Sequence, residues 1–104
     1  MQDELLDIVE KVRNRVTDTS SMVWTKYNSP IELRDELNIY IHQIQSNNFN
    51  CMNELNSLFG ATASLQEHSI DNCWTNEYTN LALKFDSLYK NWKNEIILQK
   101  RIIN

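Results

Sequence analysis

The sequence contains almost no glycine or proline, with one of each in 104 residues. Because tight turns between strands are built largely from these two residues, the composition argues against a protein of many short strands. The chain is 41% hydrophobic and 23% charged, which is too apolar for a disordered protein. A chain of this length forms one core, so we expect residues 1–104 to be a single all-α domain of long helices.

Basic residues are also scarce, since 10 Lys and Arg stand against 14 Asp and Glu, which gives a net charge of −4. Nucleic-acid binding depends on neutralising phosphates, so we expect no nucleic-acid partner. No apolar run approaches the ~20 residues of a membrane-spanning helix. The opening stretch MQDELLDIVEKV carries acids where a secretory signal has a basic start and an apolar run. These features predict a cytoplasmic protein that does not bind membranes.

Two local signals divide the chain. In YNSPIE, residues 27–32, Ser29 can cap a helix, Pro30 suits its first position, and Glu32 completes a capping box. The second signal is Gly60, which suits the left-handed position just after a helix end. These signals predict a helix that begins near Pro30 and ends just before Gly60.

The apolar residues between these signals recur every three or four positions, which predicts a helix over about 30–59. Its weak point is SNNFN at 46–50, because these residues are poor helix formers. A break near Asn47 and Asn48 would give two shorter helices instead.

The same spacing of three and four recurs on both sides of this segment. It predicts a first helix over about 3–18 and a last helix over about 70–102. Apolar positions of the two longer helices match one another about the turn after Gly60, as in an antiparallel helical hairpin. The sequence therefore predicts an up-down-up three-helix bundle that contains a long antiparallel helical hairpin.

Cys51 and Cys73 fall in one layer of this predicted hairpin. Helix axes lie about 8–10 Å apart, whereas a disulfide holds its two Cα atoms about 5.5 Å apart. We therefore interpret both cysteines as reduced core thiols, with a redox pair as the alternative.

No group of side chains indicates catalysis. A zinc site would need both cysteines together with His42 and His68, but His42 lies at least one layer away from them. A glycine-rich phosphate loop is impossible with one glycine, and the Glu-x-x-His pairs of di-iron bundles are absent. We predict no catalytic, cofactor-binding or metal-binding residue, no cofactor, and no enzymatic activity. The alternative is a small-ligand or metal-binding enzyme built in the bundle core.

Acidic residues are concentrated in the predicted bundle. The start of the first helix, the end of the second and the start of the third would share one end, which carries eight acids and no Lys or Arg: Asp3, Glu4, Asp7, Glu10, Glu54, Glu67, Asp71 and Glu77. Helix starts favour acids in any case. We interpret the acidic end as a candidate docking surface for a basic partner.

The predicted first helix is too short to cover the whole hairpin, so residues 52–59 and 65–73 have no third helix beside them. Uncovered apolar ends usually meet a partner, and two-fold pairing is the commonest assembly. We therefore predict a non-catalytic helical protein–protein interaction module that self-associates as a homodimer or binds a basic protein surface. Its candidate interaction residues are Leu55, Leu58, Phe59, Leu65 and Ile70, with the acids Glu54, Glu67 and Asp71.

The chain resembles the WXG100 secretion-substrate proteins in its size, acidity and central helical turn. The turn tryptophan of that family is replaced by Leu58 in LFG. The family's C-terminal tyrosine–acid export signal has no counterpart, since no acid stands four residues after Tyr27, Tyr40, Tyr78 or Tyr89. The similarity is one of shape; it implies a secreted helical hairpin protein as a further alternative and assigns no family.

Overall fold

The computed structural model describes residues 1–60 and 63–103, except for the side chains of 101–103. This part of the chain forms five α-helices and no strand: α1 Gln2–Arg15, α2 Pro30–Gln45, α3 Met52–Leu58, α4 Ser64–Asp71 and α5 Thr75–Ile103. The predicted all-α helical bundle is confirmed, but the number and bounds of the helices differ from the prediction. At 1.5 Å per residue α5 is about 43 Å long, which accounts for most of the 49 Å long dimension of the molecule.

Helices α1 and α2 form an antiparallel pair. At one end, the Gln2 side chain donates to the carbonyl of Ile44 at 2.9 Å. At the other end, Arg34 pairs with Asp18 at 2.8 Å. Helix α1 ends at Arg15, earlier than the predicted residue 18, because the chain turns through the weak helix formers at 17–20.

The start of α2 follows the predicted capping signal. Ser29 has an extended backbone, and its hydroxyl accepts from the N–H of Glu32 at 3.4 Å. The Glu32 carboxylate in turn accepts from the N–H of Asn28 at 3.0 Å. Pro30 occupies the first helical position, where its missing N–H costs no hydrogen bond.

The predicted helix over 30–59 is broken after Gln45, at the weak point in its sequence. Asn47 is left-handed, with φ of 57°. The N–H of Asn48 donates to Gln43 O at 2.8 Å, and the N–H of Asn47 donates to Ile44 O at 3.0 Å. These two bonds form a Schellman motif, which satisfies the last carbonyls of α2 and reverses the chain.

A second Schellman motif ends α4. Cys73 is left-handed, with φ of 65°. The N–H of Trp74 donates to Ser69 O at 2.9 Å, and the N–H of Cys73 donates to Ile70 O at 3.5 Å. The last helix therefore begins at Thr75 and not at the predicted residue 70, while Ser69 lies buried inside α4.

The conformation predicted for Gly60 is wrong, because no described glycine has a positive φ. Helix α3 ends at Leu58, and Phe59 caps it with φ of −84°, while its N–H donates to Leu55 O at 2.9 Å. The N–H of Gly60 then reaches Ser57 O at 3.4 Å. Because the backbone of this turn stays right-handed, other residues could adopt it, and the turn does not require glycine.

Helix α3 runs antiparallel to α5. The hydroxyl of Tyr89 donates to Asn53 Oδ1 at 2.8 Å near the start of α3, and the hydroxyl of Tyr78 donates to Phe59 O at 3.1 Å after its end. Helices α1 and α4 also pack against α5. The buried apolar residues of all these elements form one core, whose fully buried members include Leu5, Ile8, Val9, Val12, Leu33, Leu37, Ile44, Met52, Leu55, Leu65 and Phe85.

Candidate functional site

The apolar residues predicted to contact a partner are mostly inside the protein. Leu55 and Leu65 are fully buried, and Leu58 is 3% exposed. They are buried because α3 and α4 are separate helices that both pack against α5. The predicted three-helix bundle would have left this turn region without a neighbouring helix. Only Phe59, which is half-buried, and Ile70, which is 52% exposed, have surface to offer a partner.

Phe59 lies in a shallow apolar groove between the end of α3 and the first half of α5. Its ring stacks on Phe85 with centroids 4.6 Å apart and on Tyr78 with centroids 6.0 Å apart. Burial raises the pKa of Tyr78 to about 12, so its hydroxyl stays protonated and donates to the Phe59 carbonyl. The groove holds about 340 Å³ and is lined by Phe59, Gln66, Thr75, Tyr78, Thr79, Ala82, Leu83 and Asp86.

The predicted acidic end is divided between opposite ends of the bundle, so that prediction is wrong. Glu77, at the start of α5, forms an ion pair with Arg15, at the end of α1. Asp3 and Glu4 lie at the other end of α1, where Gln2 contacts the end of α2.

Two of the predicted interaction acids, Glu67 and Asp71, lie at the same end of the bundle as Glu77. Helix α4 sits near the end of α1, because the Asn72 side chain accepts from the N–H of Ser21 at 2.8 Å. Glu67 and Asp71 are therefore far from Asp3 at the start of α1. The physical cause is the reversal at Asn47, which adds one crossing of the bundle and moves the start of α5 to the opposite end.

The predicted acids therefore lie on separate surfaces and differ in exposure. At the start of α1, Asp3, Glu4 and Asp7 are exposed. Glu54, on the outer face of α3, is also exposed, whereas Glu67 and Asp71 are half-buried. The contact role of these acids stays a prediction.

The apolar stripe of α5 continues after the bundle stops covering it. Phe85 is 1% exposed, and Leu88, Tyr89 and Trp92 are half-buried against the core. Beyond Trp92, no apolar side chain that the structure describes is packed on that core. We call residues 93–103 the projecting segment; at 1.5 Å per residue it extends about 16 Å.

The projecting segment has apolar and basic character. Ile96 continues the stripe and is half-buried, while Ile97 is 47% and Leu98 55% exposed. Three basic residues and one acid give the segment a formal charge of +2: Lys93, Lys100, Arg101 and Glu95. The spacing of three and four that predicts the last helix continues through Ile96, but spacing alone cannot reveal where the covering helices stop.

His68 is a buried polar residue that sequence reasoning did not place. It is 0% exposed, and its Nδ1 accepts from the indole N–H of Trp74 at 3.0 Å. Its Nε2 and the Oδ2 of Asp71 are buried without a hydrogen-bond partner. Burial lowers the pKa of His68, and the nearby Asp71 carboxylate opposes that effect only in part. The imidazole is thus held neutral, with its proton on Nε2.

The two cysteines are both free thiols in different surroundings. Cys51 is 2% exposed, and burial raises the pKa of its thiol. Cys73 is exposed on the turn between α4 and α5, so its prediction as a core thiol is wrong. The Schellman motif that ends α4 turns this residue away from the core.

Residues 1–60 and 63–103 contain no group of three or more His, Cys, Asp and Glu side chains placed to hold a metal ion. Within the same residues, no helix combines the length and apolar character needed to cross a membrane.

Comparison with known proteins gives no relative of this chain: no family model, no curated protein and no solved structure matches it. Function must therefore be inferred from the surfaces described above.

Proposed function

We propose that the chain is a non-catalytic helical protein–protein interaction module that self-associates through the projecting segment of α5. The observation that supports this proposal is the apolar surface of α5 beyond Trp92, where the half-buried Ile96 continues the stripe and Ile97, next to it, is 47% exposed. Apolar stripes at helical spacing are normally covered by another element, and here the fold supplies none among the described residues.

Helix energetics favour a partner for this segment. An isolated helix shorter than about 12–15 residues is marginal in water, because most helical stability in proteins comes from packing an apolar face. The projecting segment is an extension of α5, and none of the apolar side chains described in it is packed on the core. Covering Ile96 and its neighbours with a second helix would remove apolar surface from water at roughly 25 cal/mol per Å².

The start of α1 provides a second surface for the module. Asp3 and Glu4 are exposed in its first turn and form a negative patch, whereas Asp7, one turn further on, pairs with Lys11 at 3.0 Å. Such a patch attracts a basic surface and orients it, an effect that salt weakens. This patch is the docking surface proposed for a basic partner, in place of the larger acidic end predicted from the sequence.

Sedimentation velocity of the full chain over the micromolar range tests self-association. We expect the sedimentation coefficient to rise from that of a monomer to that of a dimer as concentration increases. A chain that sediments as a monomer at every concentration would contradict the proposal. Light scattering on the same samples gives the mass independently of shape, which matters for a molecule measuring 49 × 24 × 22 Å.

A further inference from the structure

We infer that the partner of the projecting segment is the same segment of a second copy, packed antiparallel to it. The basic tip of each α5, Lys100 and Arg101, then contacts the acidic start of α1 in the other copy. This inference rests on the proposed self-association and adds its geometry. It follows from the place where α5 leaves the bundle and from the charges found there.

The start of α1 lies at the end of the bundle from which α5 projects. Gln2 contacts the carbonyls of Ile44 and Gln45 at the end of α2. A short turn then leads to α3, whose second residue, Asn53, accepts the hydroxyl of Tyr89. Helix α5 therefore passes this end of the bundle near Tyr89, and residues 93–103 extend beyond it.

Antiparallel pairing brings each tip back to the other bundle. If the two-fold axis passes near Ile96, the Ile96 side chains of the two copies face each other, and a residue a given number of positions before Ile96 in one copy faces the residue the same number after it in the other. Lys100 then lies level with Trp92 of the second copy, four residues on the other side of the axis. The last turn of each α5 consequently reaches the bundle end that carries Asp3 and Glu4.

The charges of the two surfaces are complementary. The tip of α5 carries Lys100 and Arg101, and the start of α1 carries the exposed Asp3 and Glu4, whereas Asp7 already pairs with Lys11. Parallel pairing would place the basic tips side by side, which is unfavourable, whereas antiparallel pairing places each tip against an acidic patch. A two-fold dimer makes this contact twice, so its affinity should fall as salt is added.

Substitutions on two faces of the projecting segment test the apolar part. Ile96→Glu puts two carboxylates beside the two-fold axis, and we expect the dimer dissociation constant to rise at least about tenfold, or ~1.4 kcal/mol. Leu98→Glu is the matched control, because Leu98 lies about 200° around the helix from Ile96. We expect its dimer to be unchanged, with circular dichroism showing both variants folded.

A charge exchange tests the contact between tip and bundle. Lys100→Glu should weaken the dimer several-fold at low salt, and adding Glu4→Lys in the same chain should restore it, as coupled charges across an interface do. Loss without rescue overturns the placement of the tip.

The two proposals fail in different ways. A wild-type chain that never dimerises refutes self-association itself. A wild-type dimer that tolerates Ile96→Glu as well as Leu98→Glu leaves self-association standing and refutes the antiparallel pairing.

Discussion

Replacing Cys73 by glycine should make the protein more stable, although it removes a side chain. Cys73 has a φ of 65°, at the position that closes the Schellman motif after α4. Glycine is the usual residue there because it has no Cβ to clash with the following carbonyl oxygen. The thiol of Cys73 is exposed and not part of the core, so its loss removes little packing.

The size of the gain follows from two opposing effects. A non-glycine residue in the left-handed conformation costs roughly 1–2 kcal/mol. Glycine relieves this cost, but it also adds conformational freedom to the unfolded chain, which reduces stability by about 0.4–1 kcal/mol. The net gain should be about 0.5–1 kcal/mol, which corresponds to a rise in Tm of roughly 2–8 °C for a domain of this size.

Thermal and urea unfolding under reducing conditions measure this gain. Cys73→Ala is the matched control, since it removes the thiol but keeps a Cβ at the same φ, and its stability should be close to that of the wild type. Asn47→Gly, at φ of 57°, should gain less, because asparagine tolerates this conformation better than most residues. If Cys73→Gly lost stability while Cys73→Ala did not, a left-handed turn at this position would be refuted.

Two further predictions concern buried groups. The free energy of unfolding should fall as pH drops below about 6.5, the ordinary pKa of histidine, because burial lowers the pKa of His68 in the folded state and protonated Nδ1 could not accept from Trp74. The slope contributed by this one group, at most about 1.4 kcal/mol per pH unit, should be lost in His68→Gln and kept in the exposed His42→Gln, as urea melts at successive pH values would show. In the native protein a thiol reagent should label Cys73 quickly and Cys51 slowly, with equal rates only after denaturation; equal native rates would contradict the assigned burial.

Much of the core could be predicted from apolar spacing alone. Leu33, Leu37, Ile41 and Ile44 follow steps of three and four, and all four are buried on α2. The spacing is informative because a helix places such positions on one face whatever lies opposite them. The start of α2 was equally predictable, since Ser29 and its neighbours satisfy the first N–H groups locally.

The two left-handed helix ends were not predictable in the same way. Turn signals in a sequence are read mainly from glycine and proline, and here the left-handed positions belong to Asn47 and Cys73, while Gly60 has an ordinary conformation. The asparagine-rich stretch at least indicated a weak helix, but no residue around Cys73 indicated a left-handed turn. A cysteine in that conformation is strained, and the contacts of its neighbours, such as the hydrogen bond from Trp74 to His68, hold the turn in place.

These two turns decide where the candidate interaction surfaces lie. An unbroken helix over 30–59 would leave Leu55 and Leu58 uncovered and gather the acids at one end. The reversal at Asn47 instead brings α3 back along the bundle, where it packs against α5 and both leucines are buried, and it places Glu77 beside Arg15. The uncovered apolar surface is thereby moved from the hairpin turn to the far end of α5, beside the start of α1. A local backbone conformation at one asparagine thus determines which charged patch and which apolar stripe share an end of the molecule, and it is this shared end that the proposed dimer uses.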